Sequence, residues 1–135
     1  MRGLGMKIDS RFWITKDSKN YLGVGRIELL ERIKASGSIA KAAKQMKMSY
    51  KAAWDSIDIA NKLSAPNPLV ISNAGGGKDS GTQITQEGQK AIDTFKNLQI
   101  LKNEFFSYLD DAKDFDELNE RIQKLAQSLK TSTEF

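Results

Sequence analysis

Two short helices joined by a tight turn, two strands around a glycine-rich tip, and a long apolar helical tail can be read directly from the 135 residues. Together they predict a mainly α fold with a small β-hairpin. The architecture is a winged helix-turn-helix with a long C-terminal dimerisation helix. The pattern alone is equally compatible with an unrelated small helical domain, because helix-turn-helix spacings attract false matches.

Each element has a physical reason. Residues 7–15, KIDSRFWIT, alternate loosely, with Ile8, Ser10, Phe12 and Ile14 on one side, and predict an N-terminal strand. Asp17 to Gly25 reads as turn. A first helix over about 26–35 carries Ile27, Leu29, Leu30 and Ile33 in a wide stripe, suited to burial on more than one side. Gly37 suits a helix C-terminus, and Ser38 suits the N-cap of the next helix. That second helix has Ile39, Ala42, Ala43 and Met46 on one face, where the small alanines admit a close helix crossing. Lys47-Met48 makes the tight connection, and Ser49 caps a third helix from Tyr50 to about Lys62. Its buried stripe is Ala53, Ile57 and Ala60.

Pro66 and Pro68 forbid helix continuation. Leu69-Val70-Ile71 and Thr82–Thr85 form the expected hairpin around the tip 74–81, and Thr85 also caps a long helix over 86–109. Asp110, Asp111 and Asp114 read as a solvated break. A last helix then carries Phe115, Leu118, Ile122, Leu125 and Leu129 at spacings of 3, 4, 3 and 4, an a/d seam of about two heptads. A seam of this kind suits burial against a second copy, with help from the N-terminal strand. A twofold would set two recognition helices about one DNA turn apart.

Composition closes several function classes. The chain has neither cysteine nor histidine, so it cannot build a Cys/His zinc site, a thiolate nucleophile or a Ser-His-Asp triad. The Gly75–Lys78 stretch is not a phosphate-binding Walker loop. Ser72 stands where the first glycine is needed, and Asp79 replaces the required Ser/Thr. The aspartates at 110, 111 and 114 do not match a calcium-loop spacing. No catalytic residue, cofactor or metal is therefore expected, and the chain is not expected to be an enzyme. Met1–Ser10 has no apolar run, and the charge-free stretch 63–77 holds two prolines and three glycines. Neither reads as a signal peptide or a membrane span, and a cytoplasmic location is expected.

Charge is distributed unevenly. Residues 1–84 hold 14 Lys/Arg against 7 Asp/Glu, whereas residues 85–135 hold 7 against 10. A basic front half suits an anionic partner, although the excess is modest enough for an ordinary solvated surface.

The strings Gly37-Ser-Ile-Ala-Lys-Ala-Ala43, Ser49-Tyr-Lys-Ala-Ala-Trp-Asp55, Leu69-Val70, Gly75-Gly-Gly-Lys78 and Ile84-Thr-Gln-Glu-Gly88 resemble the molybdate-dependent transcriptional regulator (ModE) family. They are more distantly similar to the LysR-type DNA-binding domain. The resemblance covers about residues 26–100, and the 49–55 string is its most specific part. It implies a dimeric bacterial or archaeal regulator of transcription whose N-terminal winged helix binds an inverted repeat in double-stranded DNA. The implied division is a DNA-binding domain over 1–88 and a helical dimerisation region over 89–135. The family's C-terminal β-domains bind molybdate or tungstate. This chain offers no oxyanion pocket and too few residues for them, so no molybdate-binding domain of its own is expected.

The implied DNA-binding residues are Ser38, Lys41, Lys44, Ser49, Tyr50, Lys51, Trp54 and Lys78. Recognition would run through helix 49–62 and wing 72–83. Tyr50 and Lys51 open the recognition helix and suit base-edge or phosphate contact. Trp54, one turn on, suits either a sugar or thymine-methyl contact or support of the wing. Ser49 is a cap first and a phosphate ligand second. Lys41, Lys44 and Lys47 line the approach to the groove, and Lys78 suits the backbone or minor groove. Asp55 and Asp58 disfavour nearby phosphate. The chain departs from the family at Lys47, where a glycine is usual, at Ser72-Asn73, where a Glu-Arg-like pair is usual, and at Asp79. An alternative is a protein-interaction module on a winged-helix scaffold that has lost DNA binding. The acidic C-terminal half and the less basic wing favour it.

Overall fold

The computed structural model describes residues 5–73 and 81–133. The order of elements is β1 (Ile14–Lys16), β2 (Lys19–Leu22), α1 (Val24–Ser36), α2 (Ile39–Gln45), α3 (Tyr50–Ser64), β3 (Val70–Asn73), β4 (Gly81–Ile84), α4 (Gln86–Leu109) and α5 (Phe115–Thr133). The fold is mainly helical with the small antiparallel wing hairpin that the sequence predicts, and a second hairpin, β1–β2, that it does not. Two compact units are present. One is Phe12–Asn97; the other joins the residues up to Arg11 with those from Leu98 onward, and α4 runs from the first into the second.

In the Phe12–Asn97 unit, α1, α2 and α3 surround a core of Ile27, Leu29, Leu30, Ile33, Ala42, Ala43, Ala53, Ile57 and Ala60, with Leu69, Ile92 and Phe95 added from the wing base and α4. Ala42, Ala53 and Ala60 are wholly buried, which is what close crossing of α2 on α3 requires. Phe95 is also wholly buried, and its ring stacks on Phe12 at 4.9 Å.

The expected strand over 7–15 is corrected. Burial alternates as the pattern demands, with Ile8, Ser10, Phe12 and Ile14 half-buried and their neighbours exposed, yet residues 7–13 have no ladder partner. The strand is confined to β1, which pairs with β2 in the register Ile14↔Leu22, Thr15↔Asn20 and Lys16↔Lys19. The turn, expected to run from 17 to 25, occupies only Asp17 and Ser18. Both have positive φ (52° and 62°), the geometry of a two-residue hairpin whose twist matches its strands. α1 then starts at Val24, two residues earlier than expected, with no side-chain cap at Gly23.

The wing stem pairs Val70↔Ile84, Ile71↔Gln83, Ser72↔Thr82 and Asn73↔Gly81. Gly88 explains how closely α4 approaches its base: a Cβ there would lie 2.3 Å from the Leu69 carbonyl oxygen and 2.7 Å from Ile84 Cγ2.

In the other unit the three aspartates do more than break a helix. Asp110 Oδ1 accepts the Ile8 amide (3.1 Å), and the Asp111 amide donates to the Met6 carbonyl (2.8 Å). Asp114 caps α5 through the Glu117 amide (2.8 Å). Glu117 in turn accepts the Lys113 amide (2.9 Å) and pairs with Arg121 (2.6 Å). The Lys113 amide, helped by Arg121, holds the Glu117 carboxyl below its ordinary range. A carboxylate depressed on folding contributes stability above its unfolded pKa, and that stability is lost as pH falls through the folded one. The stability gap between the chain and Glu117→Gln is therefore expected in full at neutral pH and should shrink on acidification below the ordinary carboxylate range. Urea denaturation across that range checks it, and a gap that does not change with pH contradicts it.

Candidate nucleic-acid interface

The helix-turn-helix is built by two serine caps and one left-handed turn. Ser38 Oγ accepts the Lys41 amide (3.1 Å) and starts α2. Ser49 Oγ accepts the Ala52 amide (3.0 Å) and starts α3. Between them α2 ends in a Schellman arrangement. The Lys47 amide donates to the Lys44 carbonyl (3.1 Å) and the Met48 amide to the Ala43 carbonyl (3.0 Å). Lys47 has φ +56°, the left-handed conformation that costs a non-glycine residue about 1–2 kcal/mol. The chain therefore keeps the turn geometry without the glycine that favours it.

This turn presents the start of α3. Tyr50 is 56% exposed, Trp54 is 47% exposed, and Lys51 is exposed beside them. The i, i+4 spacing of Tyr50 and Trp54, and the i, i+3 spacing of Lys51 and Trp54, put all three on one helix face. Lys51 Nζ pairs with Asp55 at 2.9 Å, and Lys62 Nζ pairs with Asp58 at 2.8 Å. The hydrogen bond that Lys62 donates to Asp58 raises the Lys62 pKa. Lys41, Lys44 and Lys47 are exposed and, among the described residues, enter no ion pair. Three unneutralised cations thus lie on α2 and the turn, ahead of the aromatic face of α3. Of the residues expected to bind DNA, Lys41, Lys44, Ser49, Tyr50, Lys51 and Trp54 all lie between the start of α2 and the second turn of α3. Ser38, half-buried, is engaged as a cap, and Lys78 lies outside the described residues.

Two positioning residues escape sequence reasoning. Asn61 near the end of α3 acts as a surrogate strand. Its Oδ1 accepts the amides of Leu69 (2.8 Å) and Val70 (3.1 Å), and its Nδ2 donates to the Val70 carbonyl (2.9 Å). This fixes the wing to the recognition helix. The wing is tied a second time where the Thr82 amide donates to the Gly37 carbonyl (3.0 Å), at the corner between α1 and α2. Arg26 on α1 ties β2 to α3. Its Nε donates to Ser56 Oγ (2.9 Å), and one terminal nitrogen donates to the carbonyls of Asn20 (2.9 Å) and Tyr21 (2.6 Å). Both residues are polar members of helix faces, and only their non-local partners reveal their work.

Among the described residues no group of three or more acidic side chains could hold a metal ion, and no helix is long and apolar enough to cross a membrane.

No family model matches the chain. Relatives do. The molybdenum transport protein ModE of Azotobacter vinelandii is 41% identical over 116 residues, which is 86% of this chain and 39% of that protein. A match of that length in 135 residues takes in the whole of α1 to α4. The DNA-binding transcriptional dual regulator ModE of Escherichia coli is 38% identical over 110 residues, covering 79% of this chain and 40% of that protein. Several of the relatives are named as ModE transcriptional regulators, among them that of Haemophilus influenzae, 38% identical over 86 residues, which is 64% of this chain and 33% of that protein. The chain spans between about a third and two fifths of the length of these relatives. A solved LysR family transcriptional regulator matches 65% of this chain and 28% of its own at 20% identity, with a TM-score of 0.47.

Proposed function

We propose that the chain is a sequence-specific DNA-binding regulator of transcription, acting in the cytoplasm as a homodimer on an inverted repeat. α3 reads base edges in the major groove, and the wing 72–83, of which 74–80 lie outside the described residues, contacts the DNA backbone. DNA binding is assigned to residues 1–88 and dimerisation to 89–135. The observation that carries this reading is the exposed Tyr50–Lys51–Trp54 face at the capped start of α3, just beyond the unpaired cations Lys41, Lys44 and Lys47. A helix-turn-helix contacts bases with the first turns of its second helix, while flanking cations neutralise phosphates. The names of the relatives point the same way: one is called a DNA-binding transcriptional dual regulator. Ser38 and Ser49 serve first as caps, and Lys78 is assigned to the DNA by resemblance alone.

Selection from a random duplex library at two salt concentrations tests the reading. The expected result is an enriched inverted repeat bound more weakly at higher salt. Absence of enrichment, with no duplex bound even at low salt, favours the interaction-module alternative. On the selected operator, Tyr50→Ala and Lys51→Ala are each expected to cost about 1–3 kcal/mol and to relax discrimination between related sequences. Lys44→Ala is expected to weaken all duplexes alike and to make the logarithmic salt slope shallower by about one unit. Equal loss on every duplex for all three variants contradicts the assignment of roles.

A further inference from the structure

A cavity of about 360 Å³ opens in the Phe12–Asn97 unit, between the β1–β2 hairpin, the start of α1 and the helix-turn-helix. Its walls are mostly apolar: Trp13, Leu22, Leu29, Met46 and Met48. Asn20 and Ser56 add polar lining, and its charged residue is Arg26. That guanidinium is half-buried, and every hydrogen bond it makes is to a neutral oxygen, on Ser56, Asn20 or Tyr21. Among the described residues no carboxylate lies within ion-pair distance of it. Burial lowers its pKa, with no neighbouring anion opposing the shift. A partly desolvated charge is ordinarily offset by a counter-charge, and here the protein supplies none. Apolar walls with one convergent charged group are the usual make-up of a small-molecule site.

We propose that this cavity binds a small organic anion with a flat apolar body, an aromatic carboxylate in class. The carboxylate would take the charge of Arg26, and the body would lie against Trp13 and the two methionines. Thioethers and an indole are the surfaces that accept an aromatic ring with least demand on its exact shape. The site adjoins the reading head without using it. Met46 and Met48 flank the left-handed turn at Lys47, and Ser56 is on α3. A ligand competing for the Arg26 guanidinium loosens the Arg26–Ser56 tie that orients α3. Binding itself does not depend on the DNA reading; only this coupling does.

The test is a nitrogen–proton NMR titration of the full chain with 1-naphthoate, following the Trp13 indole N–H and the Arg26 Nε–H. Two controls are 1-naphthalenemethanol, which has the ring without the charge, and inorganic phosphate, which has charge without the ring. Saturable shifts at both reporters are expected with naphthoate, about tenfold weaker affinity with the alcohol, and no saturation with phosphate. Arg26→Gln is expected to weaken naphthoate by about tenfold or more. Because Arg26 also holds the hairpin, a second variant is needed. Gly25 lines the cavity, and a Cβ there meets nothing within 4 Å. Gly25→Phe is expected to abolish naphthoate shifts at an unchanged or higher melting temperature. Equal binding of the alcohol and the acid, shifts confined to surface lysines, or undiminished binding by Gly25→Phe each overturns the proposal. Absence of naphthoate shifts from the parent chain overturns the proposal, whatever Arg26→Lys does to duplex binding. A selected duplex bound with unchanged affinity in saturating naphthoate removes the coupling alone.

Discussion

Phe95→Ala is expected to lower stability by about 3–5 kcal/mol, with a fall in melting temperature of roughly 10–20 °C. The side chain is wholly buried and stacks on Phe12, so truncation loses its transfer free energy and leaves a void. The surroundings cannot collapse freely into that void. Ile33, Leu69 and Ile92, also wholly or almost wholly buried, are held by helices and by the Asn61 clamp on the wing base. Phe12 is only half-buried, and Phe12→Ala should cost clearly less. Thermal and urea denaturation of the two variants check the ranking. A Phe95→Ala cost below about 1 kcal/mol would mean that α4 does not seat on the helix-turn-helix core through this ring. Well below its melting point, the variant should still bind the operator, because Phe95 supports the site and does not form it.

The same core shows why much of the fold is legible in the sequence. Ser38 and Ser49 announce α2 and α3, because a serine before a one-face apolar pattern has an orphan amide to satisfy, and both do so at 3.0–3.1 Å. Ala42, Ala53 and Ala60 announce the close crossing. Thr85 announces α4, and its Oγ1 does accept the Gly88 amide at 2.9 Å. The N-terminal segment is harder to read. Alternation there correctly predicts which side chains turn inward, but it carries no information about whether a partner strand exists. The hairpin turn also lacks the glycine that usually signals it, because Asp17 and Ser18 hold positive φ themselves. Arg26 and Asn61 are illegible for a different reason. Arg26 reaches Ser56, 30 residues away, and Asn61 reaches amides 8 and 9 residues on. Hydrogen bonds of this kind leave no periodic trace, so a clamp and a solvated polar residue look alike in the sequence. Lys47 lies between these cases: its left-handed backbone is expected only by analogy with the glycine that the family usually carries there.

Leu101→Glu is expected to turn a dimer into a folded monomer. The unit that includes α5 and the second half of α4 keeps large apolar side chains in water: Ile100 is 58% exposed, Leu101 62%, Tyr108 45%, Phe115 73% and Ile122 42%. They are not scattered. On α4, Leu98, Leu101, Phe105 and Tyr108 follow spacings of 3, 4 and 3, and on α5, Phe115, Leu118, Ile122 and Leu125 follow 3, 4 and 3. These are the a/d spacings of helices that bury a seam against another helix. Large apolar side chains left open in a row mark an association face. In the proposed homodimer these seams are the surfaces a second copy would cover, and a twofold partner also matches the proposed inverted repeat. A glutamate at Leu101 would then be buried without a counter-charge at the centre of the contact. The expected cost is at least about 2 kcal/mol of dimerisation free energy, a thirtyfold or greater rise in the dissociation constant. Sedimentation at micromolar concentration reads the change, and far-UV circular dichroism shows whether the helices persist, as the exposure of Leu101 requires. Operator affinity should fall more steeply than binding to a half-site, because a monomer loses the second recognition helix and keeps the first. A parent chain that sediments as a monomer refutes the dimer, and a Leu101→Glu variant that remains dimeric moves the interface away from the α4 seam.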